Sequence, residues 1–173
     1  SEGWTIPLED FFERYDPEVA RFHLIASMPE TSDSEWSWKE FQATANAGLA
    51  DTIGNLVTRV LRFLDKHFDG VIPVIDEVHR ERLEGLLLSE CGTIGDPAEH
   101  ITAFRFRKAA EQLLANAAVA NVFIDRTAPW KLRKTDPVEA GSVLAACCQY
   151  LGWIAHWMTP LLPGKAQALW EML

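Results

Sequence analysis

Trp130 stands in a run suited to unpaired nucleic acid: Ala128-Pro129-Trp130-Lys131-Leu132-Arg133-Lys134. A broad aromatic plane lets an unpaired base stack while adjacent cations meet the phosphates. Arg126, one turn earlier, adds a further positive charge. Pro129 lacks an amide proton and steers Ala128 away from helical geometry, so a helix reaching this point is expected to stop and present Trp130 in a turn. A second set lies far upstream. Asn55 and Arg59 are four residues apart, neighbours on one helix turn, and together offer donors and an acceptor. A cytosine edge, accepting at O2 and N3 and donating at N4, suits that pair while its ring stacks on Trp130. Arg62 and Lys66 extend the stripe. Each set has a plainer reading: a polar stripe on a bundle helix is ordinarily its solvated face, and a tryptophan just past a helix end can fold back to plug the bundle.

Other chemistry is sparse. The carboxylate pairs Glu9-Asp10 and Asp76-Glu77 are adjacent in sequence and diverge on a helix, so no acid–base site is assigned to them. There is no glycine-rich phosphate loop and no GxSxG. His23, His67, His79, His100 and His156 are scattered without an HxxxH or CxxC pair, and no metal site is expected. Cys91, Cys147 and Cys148 are odd in number, and the adjacent two cannot easily bridge each other. Reduced thiols fit a cytoplasmic protein. Residues 1–9 lack a signal-peptide pattern, and no uncharged apolar run is long enough to span a bilayer, so no membrane partner is expected.

The net charge of -9 opposes indiscriminate affinity for polyanions such as DNA. Its distribution is uneven. Acidic residues crowd the first third, whereas Arg105, Arg107, Lys108, Arg126, Lys131, Arg133 and Lys134 outnumber Glu111 and Asp125 over residues 105–134. A locally basic face on an acidic body is expected.

The positioning elements follow from caps and periodicity. Residues 1–12 read as a lead-in that contains a short strand, because Trp4, Ile6 and Leu8 alternate. Asp16-Pro17-Glu18, Asp96-Pro97-Ala98-Glu99 and Asp136-Pro137-Val138-Glu139 each place a capping aspartate before a proline at the first helical position. Ser37 to Glu40 has capping-box spacing. A long helix is expected over residues 38–68, buried through Phe41, Ala45, Leu49, Ile53, Leu56, Val57, Val60 and Leu64. A third helix is expected over 74–91, buried through Val78, Leu83, Leu86 and Leu87. Another should run over 98–128 with Phe104, Leu113, Leu114, Ala117, Ala120 and Ile124 inward. The segment 137–158 is apolar on most sides and should be central, and 164–173 closes the series. Trp4, Trp36, Trp38, Trp153, Trp157 and Trp170 lack cationic neighbours comparable to those of Trp130 and are assigned to the core. The architecture is expected to be all-α, an antiparallel helix bundle.

Asn121-Val122-Phe123-Ile124-Asp125 with Ala128-Pro129-Trp130-Lys131 resembles the NxYIDxxxPWxL segment of methionyl-tRNA synthetases. Four further blocks match in order. Asp16-Pro17-Glu18 with Arg21-Phe22 and Leu24 is similar to PEALRYYL. Asp33-Ser34-Glu35-Trp36-Ser37-Trp38 to Phe41 is similar to DxDFSWxxF, with Trp36 in place of Phe. Asn46, Leu49, Gly54-Asn55 and Arg59 are similar to NxxLxxxxGNxxxR, and Thr159-Pro160-Leu161-Leu162-Pro163 to the PFLP turn. Five blocks in order are specific where one is not.

The resemblance implies a class I synthetase anticodon-binding bundle in residues 37–173, behind a stem-contact connecting segment in residues 1–36. It also implies recognition of the CAU anticodon of tRNA(Met), with Asn55 and Arg59 on the first base and Trp130 stacked near it. Arg62, Lys66, Arg126, Lys131, Arg133 and Lys134 would then contact the tRNA backbone. Ser1-Glu2-Gly3-Trp4 resembles the end of a KMSKS loop, but HIGH and the KMSKS lysines are missing. Methionine activation with ATP and Mg is thus expected of a parent methionine–tRNA ligase, whose catalytic domain would be this chain's partner, and no cofactor is expected in these residues alone. Competing readings are the equivalent domain of a valine, isoleucine, leucine or cysteine synthetase, or a helical module that binds protein instead of RNA.

Overall fold

A computed structural model describes residues 7–29 and 35–173, and helices are the only regular structure among them. In chain order they are α1 (Leu8–Phe12), α2 (Pro17–Ala26), α3 (Trp38–Ala43), a π-wound segment (Thr44–Gly54), α4 (Asn55–Phe68), α5 (Glu77–Leu86) with a π-wound end (Leu87–Cys91), α6 (Pro97–Thr102), α7 (Phe106–Thr127), α8 (Pro129–Thr135), α9 (Pro137–Met158) and α10 (Pro163–Met172). The local start signals act as read. Asp16 accepts from the Glu18 amide at 2.8 Å, Ser37 from Glu40 at 3.3 Å, Asp96 from Ala98 at 2.9 Å and Asp136 from Glu139 at 3.0 Å.

Helix α9 is the axis. Helices α4, α5, α7, α8 and α10 pack around it, and its Val143, Leu144, Leu151 and Ile154 are wholly buried. By length and composition alone α9 could cross a membrane, but here it is the core helix of the bundle. Burial raises its thiols out of the reactive range, Cys148 up to about 11 and Cys147 further. A smaller core of Phe11, Ala20 and Phe41 joins α1, α2 and α3. Helix α2 is also tied to the start of α10: Glu18 accepts from the Gly164 and Lys165 amides at 2.6 and 2.8 Å, and Lys165 Nζ donates to Asp16 at 2.5 Å. A carboxylate thus caps a helix remote from it in sequence.

His23 is buried between α2 and the π-wound segment, where its Nδ1 lies 2.9 Å from Thr44 Oγ1. Burial lowers its pKa below 6.5, with Glu40 opposing the shift. The unfolded chain therefore takes up a proton first as pH falls, so this contribution to stability is complete above pH 6.5 and is lost as pH drops through the lower folded value. Thermal midpoints recorded from pH 7.5 to 5 should decline below 6.5, and His23→Gln should flatten that decline.

Several expectations are corrected. The segment Leu8–Phe12 is helix, not strand, because Phe11 needs a helical turn to reach Trp36, Trp38 and Phe41; Trp4 and Ile6 lie outside the described residues, as do 31–34 of the polar loop. The third helix starts at Glu77, and Val78 is exposed. The helix expected over 98–128 is broken at residues 103–105 into α6 and α7, and Phe104 points outward. Trp38, Trp153 and Trp170 are more than two-fifths exposed, and Trp36 and Trp157 are half-buried. An indole is large enough to cover apolar surface with one face while the other stays wet.

Candidate nucleic-acid interface

Three elements converge on Arg59. Helix α4 carries it one turn after Asn55, on the face turned from the buried Leu56, Val60 and Leu64. Helix α7 brings Asp125, whose Oδ1 accepts from Arg59 Nη2 at 2.5 Å. Asn121, one turn earlier, clamps α7 to the π-wound segment by donating to the Thr52 carbonyl at 2.9 Å and to Ala117 at 3.1 Å.

The chain then reverses. Ala128 closes α7 in left-handed geometry, φ 43° and ψ 58°, and α8 restarts at once with Pro129 as its first residue. Trp130 therefore lies in the first turn of a short helix, not in a turn between helices, because a proline that ends one helix is also suited to begin the next. Its ring receives the Arg59 guanidinium at 5.4 Å from the centroid, a cation–π contact, and 39% of the residue stays open to solvent.

Arg59 is half-buried with its side chain 26% exposed, while Asp125 is 63% exposed. The guanidinium is thus fixed from two directions before any ligand arrives. It has five N–H donors in a planar fork, of which Asp125 engages one nitrogen. An exposed indole beside a pre-aimed guanidinium and the exposed Asn55 amide can stack a flat heterocycle and bond its edge.

The remaining cations lie on the same three helices. Arg62 and Lys66 are exposed along α4, Arg126 on α7, and Lys131, Arg133 and Lys134 on α8. Helices α4 and α8 share one field: His67 is shifted down first by desolvation and then by Arg133 and Lys66. The structure thus brings Arg59 and Trp130 into contact. Asp125 is the partner that the sequence reading passed over. Its signal was present, since it sits one helical turn after Asn121 on the same face.

Residues 1–61 match the family model described as tRNA synthetases class I (M), and residues 83–173, more than half the chain, match the anticodon binding domain of methionyl tRNA ligase. The chain is 33% identical to a methionine–tRNA ligase of Protochlamydia amoebophila and 32% identical to one of Pyrococcus abyssi, in each case over all of this chain and 25% or 24% of the relative. It spans about a quarter of the length of these curated relatives. Among solved structures, the methionyl-tRNA synthetase of Mycobacterium tuberculosis bound by methionyl-adenylate superposes with a TM-score of 0.84, at 23% identity over 98% of this chain and 34% of that one, a likeness of fold. The chain therefore belongs to the family of methionyl-tRNA ligase anticodon-binding domains.

Proposed function

We propose that this chain reads the CAU anticodon of tRNA(Met) as part of a methionine–tRNA ligase. The observation that carries the reading is the Arg59–Trp130 contact, an indole and a guanidinium held together at the junction of α4, α7 and α8. The first anticodon base stacks on the open part of Trp130. Arg59 donates to its O2 and N3, and Asn55 accepts from its N4. Asp125 holds the guanidinium in place, so little ordering remains to be done on binding. Arg62, Lys66, Arg126, Lys131, Arg133 and Lys134 draw in the phosphates of the loop.

Unpaired loops suit this mode, because their bases can be splayed onto aromatic planes with their edges exposed. Residues 1–36 serve as the stem-contact connector and 37–173 as the reading domain. Attachment of methionine with ATP and Mg, in the cytoplasm, belongs to the parent enzyme. Fluorescence titration of the chain with anticodon stem-loops tests this. A CAU loop should bind at least about tenfold tighter than one whose first base is changed, the discrimination of one well-made edge contact. Equal binding of the two loops rejects it.

A further inference from the structure

Helix α6 ends in a Schellman turn. The Phe104 amide donates to the Ile101 carbonyl at 3.0 Å and the Arg105 amide to the His100 carbonyl at 2.8 Å. The residue with the first of these amides adopts left-handed backbone and is ordinarily glycine, yet here it is phenylalanine at φ 56°. A side chain there strains the backbone. The ring gains little packing in return, since Phe104 is 80% exposed; its aromatic neighbour is Phe106, edge-on at 6.2 Å. A strained and unburied aromatic does not serve the fold.

Three cations follow it. Arg105, Arg107 and Lys108 are exposed, and residues 100–110 contain no carboxylate in a chain of net charge -9. Arg107 pairs with Glu111 at 3.7 Å, which leaves Arg105 and Lys108 as the cations of interest. Helix α7 relates this cluster to the pocket. Arg107 and Asp125 are eighteen residues apart, five full turns at 3.6 residues each, so they share one face at a separation of about 27 Å. Lys108 aligns with Arg126 in the same way. The stretch between exposes the small Ala115, Ala118 and Val122, with Glu111, the partner of Arg107, as its one carboxylate before Asp125.

We propose that Phe104, Arg105 and Lys108 form a second RNA contact, gripping the backbone of the paired stem whose loop enters the Trp130 pocket; this rests on the reading of that pocket as an anticodon site. Paired RNA is held through its phosphates and sugars, to which cations and an aromatic edge are suited and base readout is not. A distance of about 27 Å lies well beyond a hairpin loop.

The test uses the full chain and two hairpins with the same CAU loop, one on a stem of a few base pairs and one on a stem long enough to reach the cluster. Arg105→Ala/Lys108→Ala should bind the long hairpin about tenfold more weakly at physiological salt, with the log–log salt slope reduced by 1–2, and should bind the short hairpin unchanged. Phe104→Gly removes the strain and should raise the thermal midpoint by about 2–4 °C while weakening long-hairpin binding. Unchanged long-hairpin binding in both variants, as for a patch that meets protein, overturns the proposal, as does equal loss on the two hairpins. Failure of the anticodon reading would show elsewhere, as loss of CAU preference over a changed first base in the wild-type chain.

Discussion

Arg59→Ala should weaken binding of a CAU stem-loop by about 1–3 kcal/mol, five- to more than a hundredfold, with the larger part of the loss specific to loops carrying the cognate first base and a smaller part shared by all loops. Two effects add. The variant removes the donors proposed for the base edge, and it leaves the Asp125 carboxylate facing an incoming polyanion without its counter-charge. Trp130→Ala should cost a similar amount through the lost stack. Because the guanidinium lies on the indole, the two residues are not independent, and the double variant should lose less than the sum of the singles. Additive losses would mean that the contact does not shape the pocket. Arg59→Lys should recover only part of the loss, since an ammonium keeps the charge but not the planar fork. Far-ultraviolet circular dichroism should stay unchanged in all of these variants. A marked fall in helicity for Trp130→Ala would make the indole a plug of the bundle end, half-exposed though it is.

What the sequence disclosed about this site depended on the range of the interactions involved. Helix starts are local. An aspartate ahead of a proline specifies its own hydrogen bond two or three residues on, and so the starts of α2, α6 and α9 were legible. The apolar stripe of α4 was legible for the same reason, as was the centrality of α9. Break points were less so. The interruption at residues 103–105 depends on Phe104 accepting a backbone conformation that its type disfavours, and nothing in an amphipathic pattern signals that. The π winding of Thr44–Gly54 shifts the faces of the long helix, so the register between Asn46 and Asn55 does not follow a 3.6-residue count.

Within the site, residue types and spacing picked out Asn55, Arg59 and Trp130, but their meeting depends on where α7 and α4 cross. The approach of α7 is fixed in part by the Asn121 bond to the Thr52 carbonyl of the π-wound segment that leads into α4. The exposed tryptophans mark the limit of the hydrophobicity argument. Large apolar side chains predict contact with some surface, and in Trp38, Trp153 and Trp170 that surface covers only one side.

The largest stability effect is expected far from the RNA face, at Asn116. It is wholly buried among alanines on the inner side of α7 and serves as a surrogate backbone for the loop before α6. Its Oδ1 accepts from the Gly95 amide at 3.1 Å and from Gln112 Nε2 at 2.9 Å, and its Nδ2 donates to the Gly95 carbonyl at 2.8 Å. The Tyr150 hydroxyl of α9 donates to its main-chain carbonyl at 3.2 Å. Gly95 lies close to α7: a β-carbon there would stand 2.6 Å from the end of the Gln112 side chain, which would have to move aside. Asn116→Ala therefore leaves both Gly95 backbone groups without their partner and opens a small cavity as well. The expected cost is about 2–4 kcal/mol, lowering the thermal midpoint by roughly 5–15 °C for a chain of this size. Asn116→Asp should be no better, because a carboxylate cannot donate to the Gly95 carbonyl and its charge is poorly solvated there. Urea unfolding should show the loss as a lower midpoint with an unchanged slope. Asp125 is nine residues further along α7, about 14 Å away, so CAU discrimination measured well below the midpoint should persist in Asn116→Ala, separating the residue that holds the loop from those that hold the base.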